Sequence, residues 1–177
     1  MISKSKRMKE SEQLLIFEEW LAKYKALLFK VIRSYAFTSD DRDDLFQNIC
    51  LQIWRSIPKF RGESAVTTWL YRISLNTAMN WSTKERKREQ GHGEIESMEH
   101  LLMENEQEED DRVAWLYTEI AKLNEVDRSL SLLLLDGFNY KEMSEMLGIS
   151  ESNVGVKIHR IKKYLISKSE TYDYHGV

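Results

Sequence analysis

Lys59-Phe60-Arg61-Gly62-Glu63-Ser64 runs within a few residues into Thr68-Trp69-Leu70-Tyr71-Arg72-Ile73. Cations and flat rings interleave there: Lys59, Phe60, Arg61, Trp69, Tyr71 and Arg72. Cations neutralise phosphate, and aromatic faces stack on bases that have left their own stack. The same pattern suits a helix start whose aromatics face a core, and alone it does not separate the two. A second group of residues, near the other end of the chain, points independently to nucleic acid.

Tyr140 to Leu147 reads as a short helix with Tyr140, Met143 and Leu147 inward. Gly148 supplies the residue that tolerates a left-handed backbone at a tight turn. Ile149 fills the angle, and Ser150 caps a further helix whose inward face is Val154, Ile158, Ile161 and Leu165. This layout matches a helix-turn-helix with the second helix placed for a major groove, the alternative being an ordinary helical hairpin with a solvated polar face. At about 100° per residue, its outer face carries Ser152, Val156, His159, Arg160 and Lys163, flanked by Asn153 and Lys157. The early residues are expected at base edges and the later cations at phosphates. Val156, apolar and outward, is expected against a thymine methyl.

These residues need helices to hold them. Phe17, Trp20, Leu21, Tyr24, Leu27, Leu28, Val31, Ile32 and Tyr35 recur at three and four, which predicts one long amphipathic helix. Thr38-Ser39-Asp40-Asp41 offers an N-cap to a second, carrying Leu45, Ile49, Ile53 and Trp54 and ending near Pro58. Ser64 or Thr67 can cap a third, with Val66, Leu70, Ile73 and Trp81 apolar and a basic end at Lys84-Glu85-Arg86-Lys87-Arg88. Leu116, Tyr117, Ile120 and Leu123 begin another helical stripe, and Leu130 to Leu135 reads as buried helix for want of a partner strand. With one proline and seven glycines among 177 residues, the fold expected is all-α.

Charge divides the chain. Residues 1–90 hold 17 Lys+Arg against 11 Asp+Glu, whereas residues 91–112 hold 1 against 9. The formal net charge of −3 therefore conceals a basic N-terminal block. The predicted organisation is a helical domain at 1–90, an acidic linker at 91–112, a helix-turn-helix domain at 113–170 and a tail at 171–177, with disorder expected from Tyr172 to Val177. No apolar run is long enough for membrane insertion, and no signal-peptide pattern follows the basic start. The lone Cys50 excludes an intrachain disulfide and fits a reducing compartment, so the expected location is cytoplasmic.

The two blocks together resemble bacterial RNA polymerase sigma factors of the extracytoplasmic-function (ECF) group, from Phe17 to Leu165. Asp43-Asp44-Leu45-Phe46-Gln47-Asn48, Trp54-Arg55 and the Phe60-to-Ser64 and Thr68-to-Ile73 stretches are similar to sigma region two, and Leu123 through Leu165 to region four. The resemblance implies that Asp44, Leu45, Gln47, Asn48, Gln52, Trp54 and Arg55 dock on the clamp coiled coil of core RNA polymerase, and that its flap is a further contact. It implies that Lys59, Arg61, Ser64, Arg72, Asn76, Asn80 and Lys84 hold the unstacked minus-ten strand. Ser152, Asn153, Val156, Lys157, Arg160 and Lys163 would read the minus-thirty-five duplex. An anti-sigma factor is the other partner implied, and the acidic linker would thread the polymerase channel or act as a plain tether. The chain departs from the family pattern at Asn48 and Cys50, and again at Gly155 and Val156.

Catalysis has no candidate. The four histidines, His92, His100, His159 and His175, are scattered, and none has metal-ligand spacing with Cys50. No phosphate-binding glycine loop is present. No enzyme activity, cofactor or metal is therefore expected. Trp20, Trp54 and Trp115 read as core, while Trp69 and Trp81 remain candidate DNA neighbours. The rival functions are a dimeric helix-turn-helix regulator acting without polymerase and a helical protein-binding adaptor.

Overall fold

The computed structural model describes residues 8–89 and 111–173. Among the described residues there are eight α-helices, a short 3-10 turn at Ile57–Lys59 and no strand. The chain forms two compact units that divide between Trp81 and Ser82.

In the first unit, the expected long helix is two: α1, Glu10–Lys23, and α2, Lys25–Tyr35. Tyr24 leaves helical dihedrals (φ −110°, ψ 18°) although its N–H still reaches Trp20 O. The two halves have different partners. Phe17 of α1 packs edge-on against Trp54 at 5.5 Å, and Gln13 donates to Trp54 O at 2.7 Å. Phe29 of α2 stacks on Phe46 at 6.0 Å. The apolar periodicity runs unbroken through Tyr24, so pattern alone does not register the change.

Helix α3, Ser39–Ser56, is capped by Thr38, whose hydroxyl accepts from Asp41 N–H at 3.1 Å. Helix α4, Val66–Glu89, starts before Thr67, which therefore lies inside its first turn rather than capping it. Its buried side is Leu70, Tyr71, Ser74, Leu75 and Ala78. Ile73, Val66 and Trp81, other apolar positions of this helix, are half-buried. Leu28, Val31, Ile32, Leu45, Ile49 and Ile53 complete this core at 0–1% exposure.

The second unit holds α5 (Asp111–Ala121), α6 (Glu125–Leu135), α7 (Tyr140–Leu147) and α8 (Glu151–Asp173). Most of the expected linker and the last residues of the tail lie outside the described residues. Where they are described, both edges are helical: α5 begins at Asp111, and α8 continues to Asp173 with Tyr172 packed on Trp115 at 5.3 Å. The Tyr172 side chain thus has an aromatic partner on α5, which corrects the expected disordered start of the tail.

Helix ends in this unit are satisfied locally. Asn124 caps α6. Asn139 and Glu142 form a reciprocal capping box at α7. The buried Arg128 donates to Ala121 O and Leu123 O, at 2.5 and 2.9 Å, serving carbonyls that α5 leaves orphaned. Glu119, also buried, accepts from Tyr164 on α8 at 2.9 Å and from Lys122 at 2.8 Å. Leu130, Leu132 and Leu133 are buried in helix, as expected.

Gly148 adopts φ 67°, the left-handed C-cap that the turn requires, and Ser150 Oγ accepts from Asn153 N–H at 3.2 Å. Met143, Val154, Ile158 and Ile161 turn inward and are buried. Tyr140 does not. It is 37% exposed, its ring lies over Gly155, and Met146 takes the inward place.

Candidate nucleic-acid interface

Gly62 turns the loop between the 3-10 turn and α4 at φ 71°. A side chain there has open space around it but a strained backbone, so the turn itself selects glycine. Lys59, Arg61, Glu63 and Ser64 are exposed on this loop. Arg61 and Glu63 approach only to 4.0 Å with side chains 81% and 78% exposed, a pairing too weak to hold the guanidinium from a phosphate.

Beneath the loop, Trp20, Phe60 and Trp69 form one aromatic cluster. Trp20 meets Phe60 edge-on at 5.2 Å and Trp69 at 5.5 Å, and Phe60 and Trp69 are 5.1 Å apart. Phe60 enters the loop and Trp69 follows it, so the cluster pins both ends. Tyr71, another ring of the interleaved stretch, is 2% exposed and belongs to the core.

Arg72, Asn76, Asn80 and Lys84 are all exposed at four-residue spacing along α4. They make one polar stripe about 18 Å long at 1.5 Å per residue. Its ends are cationic and its middle carries amides, group types that can meet phosphates and base edges respectively.

On α3, Gln47, Gln52 and Arg55 are exposed. Asn48 is half-buried and donates to Asp44 O at 2.8 Å. The Asp44 carboxylate accepts from Trp81 Nε1 at 2.6 Å. Trp54 is half-buried under Phe17. Leu45 is 0% exposed, which corrects its expected place on a polymerase-facing surface. It shares the inward stripe of Ile49 and Ile53, where burial is worth more than any exposed contact.

On α8, Ser152, Asn153, His159, Arg160 and Lys163 are exposed, and Val156 is 48% exposed. Lys157 is half-buried and pairs with Asp127 of α6 at 2.9 Å. A Cβ on Gly155 would lie 3.7 Å from the Tyr140 ring, so this position faces α7.

Among the described residues no group of three His, Cys, Asp or Glu side chains is placed to hold a metal ion. Burial raises the pKa of the Cys50 thiol, which keeps it in the less nucleophilic form. No described helix is long and apolar enough to cross a membrane.

Residues 20–88 match the family model of Sigma-70 region 2, and residues 114–165 match that of Sigma-70, region 4. The ECF RNA polymerase sigma-E factor of Haemophilus influenzae is 27% identical over 164 residues, covering 86% of both chains. That of Escherichia coli K12 is 27% identical over 169 residues, covering 86% of this chain and 85% of the relative. The chain belongs to the sigma-70 family, in its ECF group. As a sigma factor it gives RNA polymerase promoter-specific initiation.

Two solved structures share the fold of this sigma factor. CnrH, in complex with the cytosolic domain of CnrY, aligns at TM-score 0.61 with 20% identity, covering 88% of each chain. The sigma factor RpoE of Bartonella quintana, in complex with the anti-sigma factor NepR, aligns at TM-score 0.64 with 21% identity, covering 84% of this chain and 92% of that one.

Two features of the sigma factor had no place in the sequence analysis. Leu51 is 44% exposed between Gln47 and Arg55 on α3. Its signal was an apolar residue outside the Leu45, Ile49, Ile53 stripe. Trp20 belongs to the loop cluster, and nothing in its spacing distinguished it from the rest of the first helical stripe.

Proposed function

We propose that this sigma factor joins core RNA polymerase through α3 and then reads two promoter elements with two separate surfaces. The clamp coiled coil would meet Gln47, Leu51, Gln52 and Arg55, with Asp44, Asn48 and Trp54 bordering that face. Lys59, Arg61 and Ser64 of the loop and Arg72, Asn76, Asn80 and Lys84 of α4 would hold the minus-ten strand. Ser152, Asn153, Val156, Arg160 and Lys163 of α8 would read the minus-thirty-five duplex, while region 4 meets the flap. One observation carries this reading: the polar candidates on α4 and outer α8 are exposed, while Leu75 and Ala78 of α4 and Val154, Ile158 and Ile161 of α8 are buried.

The factor works by binding and without enzymatic turnover of its own, in the cytoplasm with the polymerase. Its domains are taken as about residues 1–90 and 113–170 around the acidic linker, the helix ends at Asp111 and Asp173 widening the second by a few residues. The Bartonella relative was solved with an anti-sigma factor, and a partner of that kind is proposed here also, covering the DNA-facing surfaces.

The test is run-off transcription with bacterial core polymerase on a genomic promoter library, with and without the protein. Specific transcripts that need the protein, with shared upstream elements, are the expected result. Duplex binding by a dimer without any transcript would replace this reading with a stand-alone regulator.

A further inference from the structure

Lys157 stands on α8 beside Val156, one turn after Asn153 and one turn before Arg160 and Ile161, where its type and spacing make it a phosphate contact. Its ammonium is directed elsewhere. It lies 2.9 Å from Asp127 Oδ1, with the two side chains 26% and 20% exposed. The other Asp127 oxygen accepts from Asn124 Nδ2 at 2.7 Å, and Asp127 N–H donates to Asn124 Oδ1 at 3.0 Å. The carboxylate is thus fixed in the first turn of α6, where the helix dipole also favours it.

Val154, Ile158 and Ile161 hold α8 in the unit by burial. Apolar burial is non-directional, and the Tyr164 hydroxyl, which donates to Glu119 at 2.9 Å, ties α8 two turns further along the helix. A charge-assisted hydrogen bond to an immobilised carboxylate has direction and length. We propose that Lys157 is a positioning residue: held by Asp127, it sets the roll of the recognition helix so that Ser152, Asn153 and Val156 meet the bases in one register, and it neutralises no phosphate itself. This rests on the assignment of α8 to the minus-thirty-five duplex.

The test is promoter binding by holoenzyme carrying the full chain, measured against salt and against single-base changes in the upstream element. The variants are Lys157→Gln, Lys157→Arg, Asp127→Asn and the Gln/Asn double variant, each checked by thermal unfolding. Wild-type holoenzyme without specific binding would sink the functional assignment, a result distinct from any that concerns Lys157. Given wild-type binding, Lys157→Gln and Asp127→Asn should each weaken it about three- to tenfold. The double variant should be no weaker than either single one, Lys157→Arg should retain binding, and base preference should relax in both single variants with the salt slope unchanged.

A slope reduced by about 0.9 in Lys157→Gln, with Asp127→Asn unaffected, makes Lys157 a phosphate contact and overturns the proposal. Additive losses in the double variant overturn it too, as does wild-type binding and base preference in both single variants.

Discussion

Trp81 donates its indole N–H to the Asp44 carboxylate at 2.6 Å, tying a late turn of α4 to an early turn of α3. The sequence suggested a polymerase contact for one and a DNA neighbour for the other. Trp81→Phe keeps the ring and removes the donor, and water can still reach the exposed carboxylate. A loss of about 1 kcal/mol is expected, seen as a lower urea midpoint with an unchanged m-value. If Asp44→Ala and Trp81→Phe prove additive in a double-mutant cycle, the bond contributes nothing.

Leu45 and Leu51 lie on different faces of α3, about 120° apart around its axis. Leu45→Ala opens a cavity in the core and should cost about 2–5 kcal/mol. Leu51→Ala, at 44% exposure, should change stability by no more than about 0.5 kcal/mol. Polymerase affinity then separates fold from contact: Leu51→Ala should weaken core binding while its unfolding curve matches wild type. Equal affinity would remove Leu51 from the interface.

Glu119 and Tyr164 make the second unit pH-sensitive at both ends. Burial pushes the Glu119 carboxyl up, but hydrogen bonds from Lys122 and Tyr164 outweigh it and hold the pKa below the ordinary 4.5. A depressed carboxyl contributes stability above its unfolded pKa and loses it as pH falls through the folded one. Burial and the neighbouring carboxylate raise the Tyr164 pKa from 10.0 to about 12. That contribution is complete below pH 10 and disappears as pH climbs from there towards 12. Unfolding midpoints against pH should fall at both ends. Glu119→Gln should flatten the acid side, and Tyr164→Phe the alkaline side; an acid limb unaltered in Glu119→Gln would remove the carboxyl from this role.

Gly155 sits inside α8, where glycine costs roughly 1 kcal/mol against alanine. An added Cβ would meet Tyr140 ring atoms at 3.7 and 3.9 Å, ordinary contact distances. Gly155→Ala should therefore stabilise the second unit by about 1 kcal/mol and leave minus-thirty-five affinity in place, because the new methyl faces α7. Thermal unfolding and a duplex-binding titration check the two halves of this expectation, and a large affinity loss would put position 155 in the groove instead.

The helix-turn-helix was legible because its determinants are local. Gly148, Ser150 and the spacing of Val154, Ile158 and Ile161 act within a few residues of one another, and each had the conformation or burial expected. Arg72, Asn76 and Asn80 share one exposed face of α4 because their four-residue spacing is itself local. Tertiary contacts decided what these local patterns left open. Lys157 and Arg160 are cations on the same helix, and only the presence of Asp127, thirty residues earlier, turns one inward. Leu45 and Leu51 are the same residue type on the same helix; spacing puts Leu51 outside the Leu45, Ile49, Ile53 stripe, and the neighbouring helices bury that stripe and leave Leu51 exposed. The sequence by itself determined the caps at Thr38 and Ser150 and the turn at Gly148, since capping and glycine dihedrals are short-range, but it did not register the break at Tyr24. Which charge is free, which ring is buried and which apolar residue is left exposed were settled by the folded structure, because burial and ion pairing depend on residues far away in the chain.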